Sequence, residues 1–546
     1  MSSDLLRNVT VKVQPRSGFD KSRKNILTTK VGTLTPILND LVIPNSDINI
    51  KMAINASLPP LASETFMRCS LKVEAFAVPL RILYGGFESF LTGKEEYNVT
   101  SASVASSFRA SLPYVNLTST QNTNYCGAGT LADYLGVRAS DWTVSTSTAG
   151  RLNIFPFLAY HRIYDDWYRN TKVQTPVFIK PGQVASTFIT SQAARLRCMP
   201  YISLGSYTGI DLDTSFQDGV KLYELRQRNF GLDYFTSATP NAQLGSPTLV
   251  EVPAPAQAGD DQYFSISALR SANSITQWDE LNNIGGKRIQ DYVRANYGAK
   301  LSSGIAQRAI YLGSADYPVY SKGVYANQGV TATNNPFTSV GARYGSAYAS
   351  GSDFVVKAHI DEPCVLMVLC SLVPEANYSS GVSPWMMKLT RSGSIVDIPN
   401  PMLQNVGNEP IAVSELDCYS GVRDADIGTA GTIFGYVPRY TWSKTGVNEV
   451  HGLLLDGQSL DAFVAQRSFG AGTPSISSNF LKIPTTALDQ VTAVTSDLSS
   501  YGCWIDSYIQ YYVSMPLAQY SIPSLQNPAY EHGVSVSIQR NGSKID

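Results

Sequence analysis

Residues 66–79 read Phe66-Met-Arg-Cys-Ser-Leu-Lys-Val-Glu-Ala-Phe-Ala-Val-Pro79. Met67, Cys69, Leu71, Val73 and Ala75 alternate with Arg68, Ser70, Lys72 and Glu74. A period of two puts the apolar side chains on one face of an extended chain and the charged ones on the other, which is the signature of a half-buried strand. Pro79 ends it. The same alternation returns near the C-terminus, where Ile505, Ile509, Tyr511 and Val513 interleave with Asp506, Tyr508 and Gln510, and again where Val534, Val536 and Ile538 interleave with Ser535, Ser537 and Gln539. Midway lies the longest apolar run, Cys364 to Val373, broken only by Ser371. It is about half the ~20 residues a membrane helix needs and reads as a buried strand. Strands early, midway and late with long excursions between them predict a Greek-key or jelly-roll sandwich carrying insertions.

Helices are expected only in the insertions. Phe157, Tyr160, Ile163, Tyr164, Trp167 and Tyr168 follow the three-and-four spacing of one helix face, and Ile289, Tyr292, Val293, Asn296 and Tyr297 do the same with Gly298 at the C-cap position. The stretches Asn98–Asn124, Thr236–Gln262 and Tyr325–Ser352 are rich in small and polar residues without periodicity, and are expected as surface loops outside the sandwich.

Charged residues are 16% of the 546, against about 25% in an ordinary soluble domain, while Tyr numbers 31, Gly 41 and Pro 29. A chain this poor in charge and rich in tyrosine suits a surface covered by neighbours, because Tyr offers large contact area with few rotatable bonds. Net charge is −1, so no global field holds nucleic acid or an anionic membrane. Residues 1–30 are the exception: Arg7, Lys12, Arg16, Lys21, Arg23, Lys24 and Lys30 stand against Asp4 and Asp20, net +5. This basic N-terminal arm is the candidate DNA-contacting segment, with a solvated tail or a subunit-tying strap as its competing readings. The opening residues contain no apolar signal segment, so synthesis in the cytoplasm is expected.

Seven cysteines are scattered without a CxxC pair or a His at zinc-ligand spacing, and are expected to be reduced core residues. No P-loop, GxSxG, HExxH or EF-hand pattern occurs. Gly470-Ala-Gly472 lacks the third glycine of a nucleotide-binding turn. His161 and Asp165, one helical turn apart, could form an acid/base pair, but a stacked or hydrogen-bonded structural histidine is the expectation. No catalytic residue, cofactor or metal is expected.

Ordered blocks carry a family resemblance. RSGFDKS, TTKVGTLTP and LVIPNSD lie within residues 16–47, LPPL follows at 58–61, and FAVPLRILYGGFESFLTG at 76–93. Then come GTLADYLGV (129–137), FPFLAYHRIYDDWYRN (155–170), LRQRNFGLDYFTSATPNAQLG (225–245), GGKRIQDYVRANYG (285–298), QRAIYLGS (307–314), FGYVPRY (434–440) and PLAQYSIPSL (516–525). In this order they resemble the major capsid proteins of the microviruses, of the gokushovirus type, with DYFTSA at 233–238 the most specific block. QRAIYLGS departs from the family's usual QRPEYLGG, and the segment after DYFTSA is short.

The resemblance implies a mainly-β fold: an eight-stranded antiparallel jelly-roll β-sandwich over residues 31–546, with insertion loops containing short helices at about 94–360 and 375–500. It implies a bacteriophage virion subunit that assembles with itself into an icosahedral T=1 shell of about sixty copies. The implied partners are the packaged circular single-stranded DNA, small DNA-binding, scaffolding and pilot proteins of the virus, and a host surface receptor, with no membrane. Two rivals remain from the residues alone. A glycan-binding or glycan-cleaving jelly-roll protein would need a carboxylate pair framed by aromatics, and another viral surface or decoration protein would not share the full order of blocks.

Overall fold

The computed structural model describes residues 16–66, 68–92, 112–118, 124–137, 150–181, 191–202, 209–242, 266–285, 288–300, 307–325, 343–388, 391–392, 395–404, 407–417, 433–467, 469, 474–493 and 502–517. The expected strand at Val534–Ile538 lies outside them.

The chain is a mainly-β, antiparallel two-sheet sandwich with helices, most of them short, in its excursions. In chain order the strands are β1 (Ser17–Asp20), β2 (Arg23–Thr29), β3 (Thr35–Val42), β4 (Ser46–Ser57), β5 (Cys69–Pro79), β6 (Tyr114–Leu117), β7 (Gly150–Asn153), β8 (Gly209–Asp211), β9 (Ile310–Pro318), β10 (Tyr320–Tyr325), β11 (Arg343–Ile360), β12 (Cys364–Pro374), β13 (Arg391–Ser392), β14 (Ile395–Val396), β15 (Asn408–Ala412), β16 (Ile433–Pro438) and β17 (Cys503–Met515). One sheet runs β1-β17-β4-β11-β10 with β2 also on β17, and the other runs β3-β12-β5-β9. Short connections after β2, β3, β4, β9 and β11 each carry the chain from one sheet to the other. Residues 80–309 and 375–502 are the two long excursions.

Sequence pattern decides which sheet is covered. β4 and β17 alternate buried and exposed along their whole length, whereas β12 is buried at almost every position. On β12, Leu366, Val368 and Cys370 point into the sandwich with Leu71, Val73, Ile50 and Ile509. Val365, Met367 and Leu369 point the other way, into a second core with Phe76, Val78, Phe155, Leu158 and Tyr160. A strand apolar on both faces needs cover on both, and the first excursion supplies it. The other sheet keeps its outer face open among the described residues.

The expected helix on the YHRIYDDWY segment forms as Phe155–Ile163 and continues as a wider turn through Tyr168. The helix Ile289–Tyr297 also forms, ending on Gly298 at φ +66°. A helix at Ile266–Gly285 was not anticipated. The expected loop Tyr325–Ser352 needs correction in part: Arg343–Ser352 is the first half of β11, paired with β10 and then β4. The first insertion, expected to reach about residue 360, therefore gives way to sandwich strands at Ile310. The reason is packing: Gly345, Ala347, Ala349 and Gly351 keep the period of two with small inward residues. A Cβ at Gly351 would meet the Tyr317 ring at 2.2 Å, and the Tyr317 hydroxyl accepts the Phe354 N–H at 3.1 Å across the bulge. Of the other expected loops, Tyr114–Leu117 is β6 of a small sheet with β7 and β8, apart from the sandwich.

Burial on both faces predicts that Leu366→Ala and Met367→Ala each cost about 2–5 kcal/mol. On β17 Ile509→Ala should cost as much, while outward Tyr508→Ala should stay within about 0.5 kcal/mol. Urea unfolding midpoints of the four variants check this, and equal losses at Tyr508 and Ile509 would contradict the open face.

Candidate nucleic-acid interface

Arg7 and Lys12 of the candidate segment lie outside the described residues. The rest of it is not a free extension: β1 and β2 both pair antiparallel with β17, Ser17 opposite Met515 and Thr29 opposite Cys503. Arg16 pairs with Asp47 and donates to Asn45 at 2.8 Å, Lys21 meets Asp40 at 2.6 Å, and Lys24 meets Asp506 at 3.1 Å. Arg23 reaches only the Asn39 carbonyl, at 3.4 Å, and Lys30 makes no ion pair among the described residues. A cation already sharing its field with a carboxylate attracts phosphate less, so Arg23 and Lys30 are the less committed of the described set.

β17 also presents a row that the sequence reading did not single out. Its outward positions hold Trp504, Tyr508 and Tyr512, all substantially exposed. Tyr508 lies between Lys24 of β2 and Ala53 of β4, and Trp504 between Thr28 and Ser57. The alternation made Tyr508 visible as an outward residue; its spacing of four from Trp504 and Tyr512 was the signal available.

His161 and Asp165 do not form a pair. Asp165 accepts from Arg169 Nε at 2.6 Å and from the Val177 N–H at 3.1 Å. His161 is fully buried, its ring 4.3 Å from that of Phe216. Its Nδ1 accepts from Arg226 Nε at 2.8 Å and its Nε2 lies 3.1 Å from the Leu222 carbonyl, so the imidazole is neutral and donates through Nε2. Burial, and then the Arg226 charge, hold its pKa well below the usual histidine value. The six described cysteines are buried and unpaired, and burial raises the Cys503 thiol to about 12. Such thiols are inert. Among the described residues no cluster of three His, Cys, Asp or Glu could hold a metal. No helix of the described residues is long and apolar enough to cross a membrane.

What the DYFTSA block does is clear from its contacts. Tyr234 and Phe235 are buried in a third core with Tyr378, Ile411, Leu416 and Phe434 from the second excursion. Asp233 accepts from the Tyr378 hydroxyl at 2.7 Å, and the Tyr234 hydroxyl donates to Glu415 at 2.9 Å. The block is a clamp between the two excursions.

The sequence model of the phage capsid protein (F protein) family matches residues 8–265 and 256–525. The chain belongs to that family. As an F-type capsid protein it is a structural component of the virion. Capsid protein VP1 of Chlamydia phage 1 is 24% identical, with 94% of this chain and 96% of the relative aligned. VP1 of Spiroplasma virus 4 is 22% identical over 94% and 96%, and VP1 of Bdellovibrio phage phiMH2K 21% over 93% and 95%. The match spans both excursions as well as the sandwich, so the F-family likeness includes the buried seam.

His161 gives this capsid protein a pH-dependent stability of known sign. Below about 6.5 the unfolded chain takes up a proton that the folded site refuses, so stability falls with pH by about 1.4 kcal/mol per unit from this group. Thermal melts from pH 7.5 to 5 should show this loss, and His161→Gln should make the curve shallower over that window.

Proposed function

We propose that the chain is the major shell subunit of a small bacteriophage, closing as about sixty copies on icosahedral symmetry around circular single-stranded DNA. The observation that carries this is the capsid-family match running through nearly the whole chain. The sandwich reads as an eight-stranded jelly roll: β2-β17-β4-β11 faces β3-β12-β5-β9, with β1 and β10 as additions to the first set. Its role is structural rather than catalytic. The first excursion, packed on one sheet, supplies outer and intersubunit surface, and the N-terminal cations Arg7, Lys12, Arg16, Lys21, Arg23, Lys24 and Lys30 face the genome. Small virus-encoded DNA-binding or scaffolding proteins and a host receptor complete the partners.

Expression of the full chain, with or without its viral partners, should give small uniform shells by negative-stain microscopy and nuclease-protected single-stranded DNA from native particles. A monodisperse monomer under every salt and pH condition would sink the reading. Changing Arg16, Lys21, Arg23 and Lys24 together to Gln should leave shells intact, because their ion pairs are exposed or half-buried at the edge of the sheet and contribute little, while lowering the DNA retained. Loss of shells with unchanged DNA affinity would instead assign the segment to assembly.

A further inference from the structure

The open outer face of the six-stranded sheet combines rings and cations in one array. Trp504, Tyr508 and Tyr512 are 42%, 49% and 49% exposed, four residues apart along β17, which sets them roughly 13 Å apart. Trp504 continues sideways through Ser57 to Tyr348, whose ring centroid lies 6.2 Å from that of Tyr320. On the β4 side the residues beside the rings are small or polar, Ser57, Ala53 and Asn49; on the other side they are Thr28, Lys24 and Asp20. On the β4 side no tall neighbour covers the rings.

Lysines flank these rings, Lys51 between the rows of Tyr508 and Tyr512 and the other two at the edges of the array. Lys51 sits between Gln510 and Val355, Lys357 stands beside Asn49 and so one strand beyond Tyr512, and Lys322 flanks Ser346. All three are exposed and without ion pairs among the described residues. Of the carboxylates nearest the array, Asp506 is paired with Lys24 and Asp47 with Arg16 and His359, while Asp20, opposite Tyr512, accepts from the Ser22 N–H and keeps its charge. Asp353 is exposed in the β11 bulge, across β4 from Tyr508, and holds no ion pair among the described residues. At the Tyr512 end a cleft of about 750 Å³ opens, lined by Tyr512, Asn49, Lys357, His359 and the carboxylates Asp20 and Asp47.

We infer that this face is a stacking platform for unpaired nucleic-acid bases, with Trp504, Tyr508 and Tyr512 taking bases and Lys51, Lys357 and Lys322 the phosphates beside them. Exposed rings can stack on bases that are not already paired, and lysines without ion pairs flanking them are complementary to a phosphate backbone. The occupant is therefore a single strand, not a duplex and not an apolar partner. The other sheet cannot serve, because its outer side is buried under the first excursion. The inference rests on the genome-enclosing reading and names the surface that meets the genome.

The test uses the full chain and a fluorescent oligothymidylate of about twenty nucleotides, with a duplex of equal length as control. Wild type should bind the single strand more tightly than the duplex, with quenching of Trp504 fluorescence that Trp504→Phe removes. Tyr508→Ala and Tyr512→Ala should each weaken binding about tenfold, at near-constant salt slope. Lys51→Gln with Lys357→Gln should reduce the log–log salt slope by about 1.4. Equal affinity for duplex, or ring variants that bind like wild type while still forming shells, would overturn the inference and leave the capsid role standing. So would ring variants that abolish shell formation with oligonucleotide binding unchanged, since the face would then be a contact between copies of the chain. Failure of wild type to form shells at all would count against the capsid reading, not against this face.

Discussion

β12 has no polar side, and the arrangement of the whole chain follows from that. Its alternate side chains feed two different cores, Leu366, Val368 and Cys370 on the sandwich side and Val365, Met367 and Leu369 on the other. A strand of this kind is stable only in the middle of a covered sheet. β3 and β5 flank it by register, Cys364 opposite both Val42 and Pro79. The first excursion must then fold back over that sheet, and the opposite sheet is left to face something that is not part of this cover.

Polar groups fix where the cover sits. Glu74 projects from β5 under the excursion, where it takes Arg228 Nη1 at 2.5 Å and the Tyr168 hydroxyl at 2.5 Å. Burial and then Glu74 itself raise the Tyr168 pKa well above normal, so the phenol stays a donor. Removing one partner of such a set leaves a charge poorly solvated, which is far costlier than never burying the pair. The segment 226–238 thus commits twice, through Arg228 to the sandwich and through Asp233 and Tyr234 to the second excursion. Short-range sequence order is converted into a fixed relation between parts hundreds of residues apart.

How much of this the sequence disclosed depends on the contrast between side chains. β5, β12 and β17 were legible because Leu, Val, Ile and Met alternate with, or run unbroken by, polar residues. β11 was not, because its inward positions include Gly345, Ala347, Ala349 and Gly351, whose faint hydropathy hides a true period of two behind a loop-like composition. Ile266–Gly285 escaped for the opposite reason: Ile266, Leu269, Ile275, Trp278 and Leu281 are apolar yet exposed, so no single face stands out. The N-terminal cations were visible as a count, but their partners Asp40 and Asp47 lie 19 and 31 residues away, and Asp506 is at the other end of the chain. Charge counting cannot see ion pairs that only a closed sheet creates.

The core and the open face are written by the same strand. Ile505, Ile509, Tyr511 and Val513 fill the sandwich and so set the register of β17 against β2 and β4. Because side chains alternate strictly, a slip of one residue would exchange the two faces entirely. Burial of the isoleucines therefore holds Trp504, Tyr508 and Tyr512 outward at fixed spacing. It also brings Lys24 beside Tyr508, since β2 can add to β17 only in the register its own Leu27 and Thr29 bury. A chain with net charge −1 thereby gathers rings and lysines on one side, interspersed with Asp20, Asp47, Asp353 and Asp506. Copies of it can approach each other without long-range repulsion.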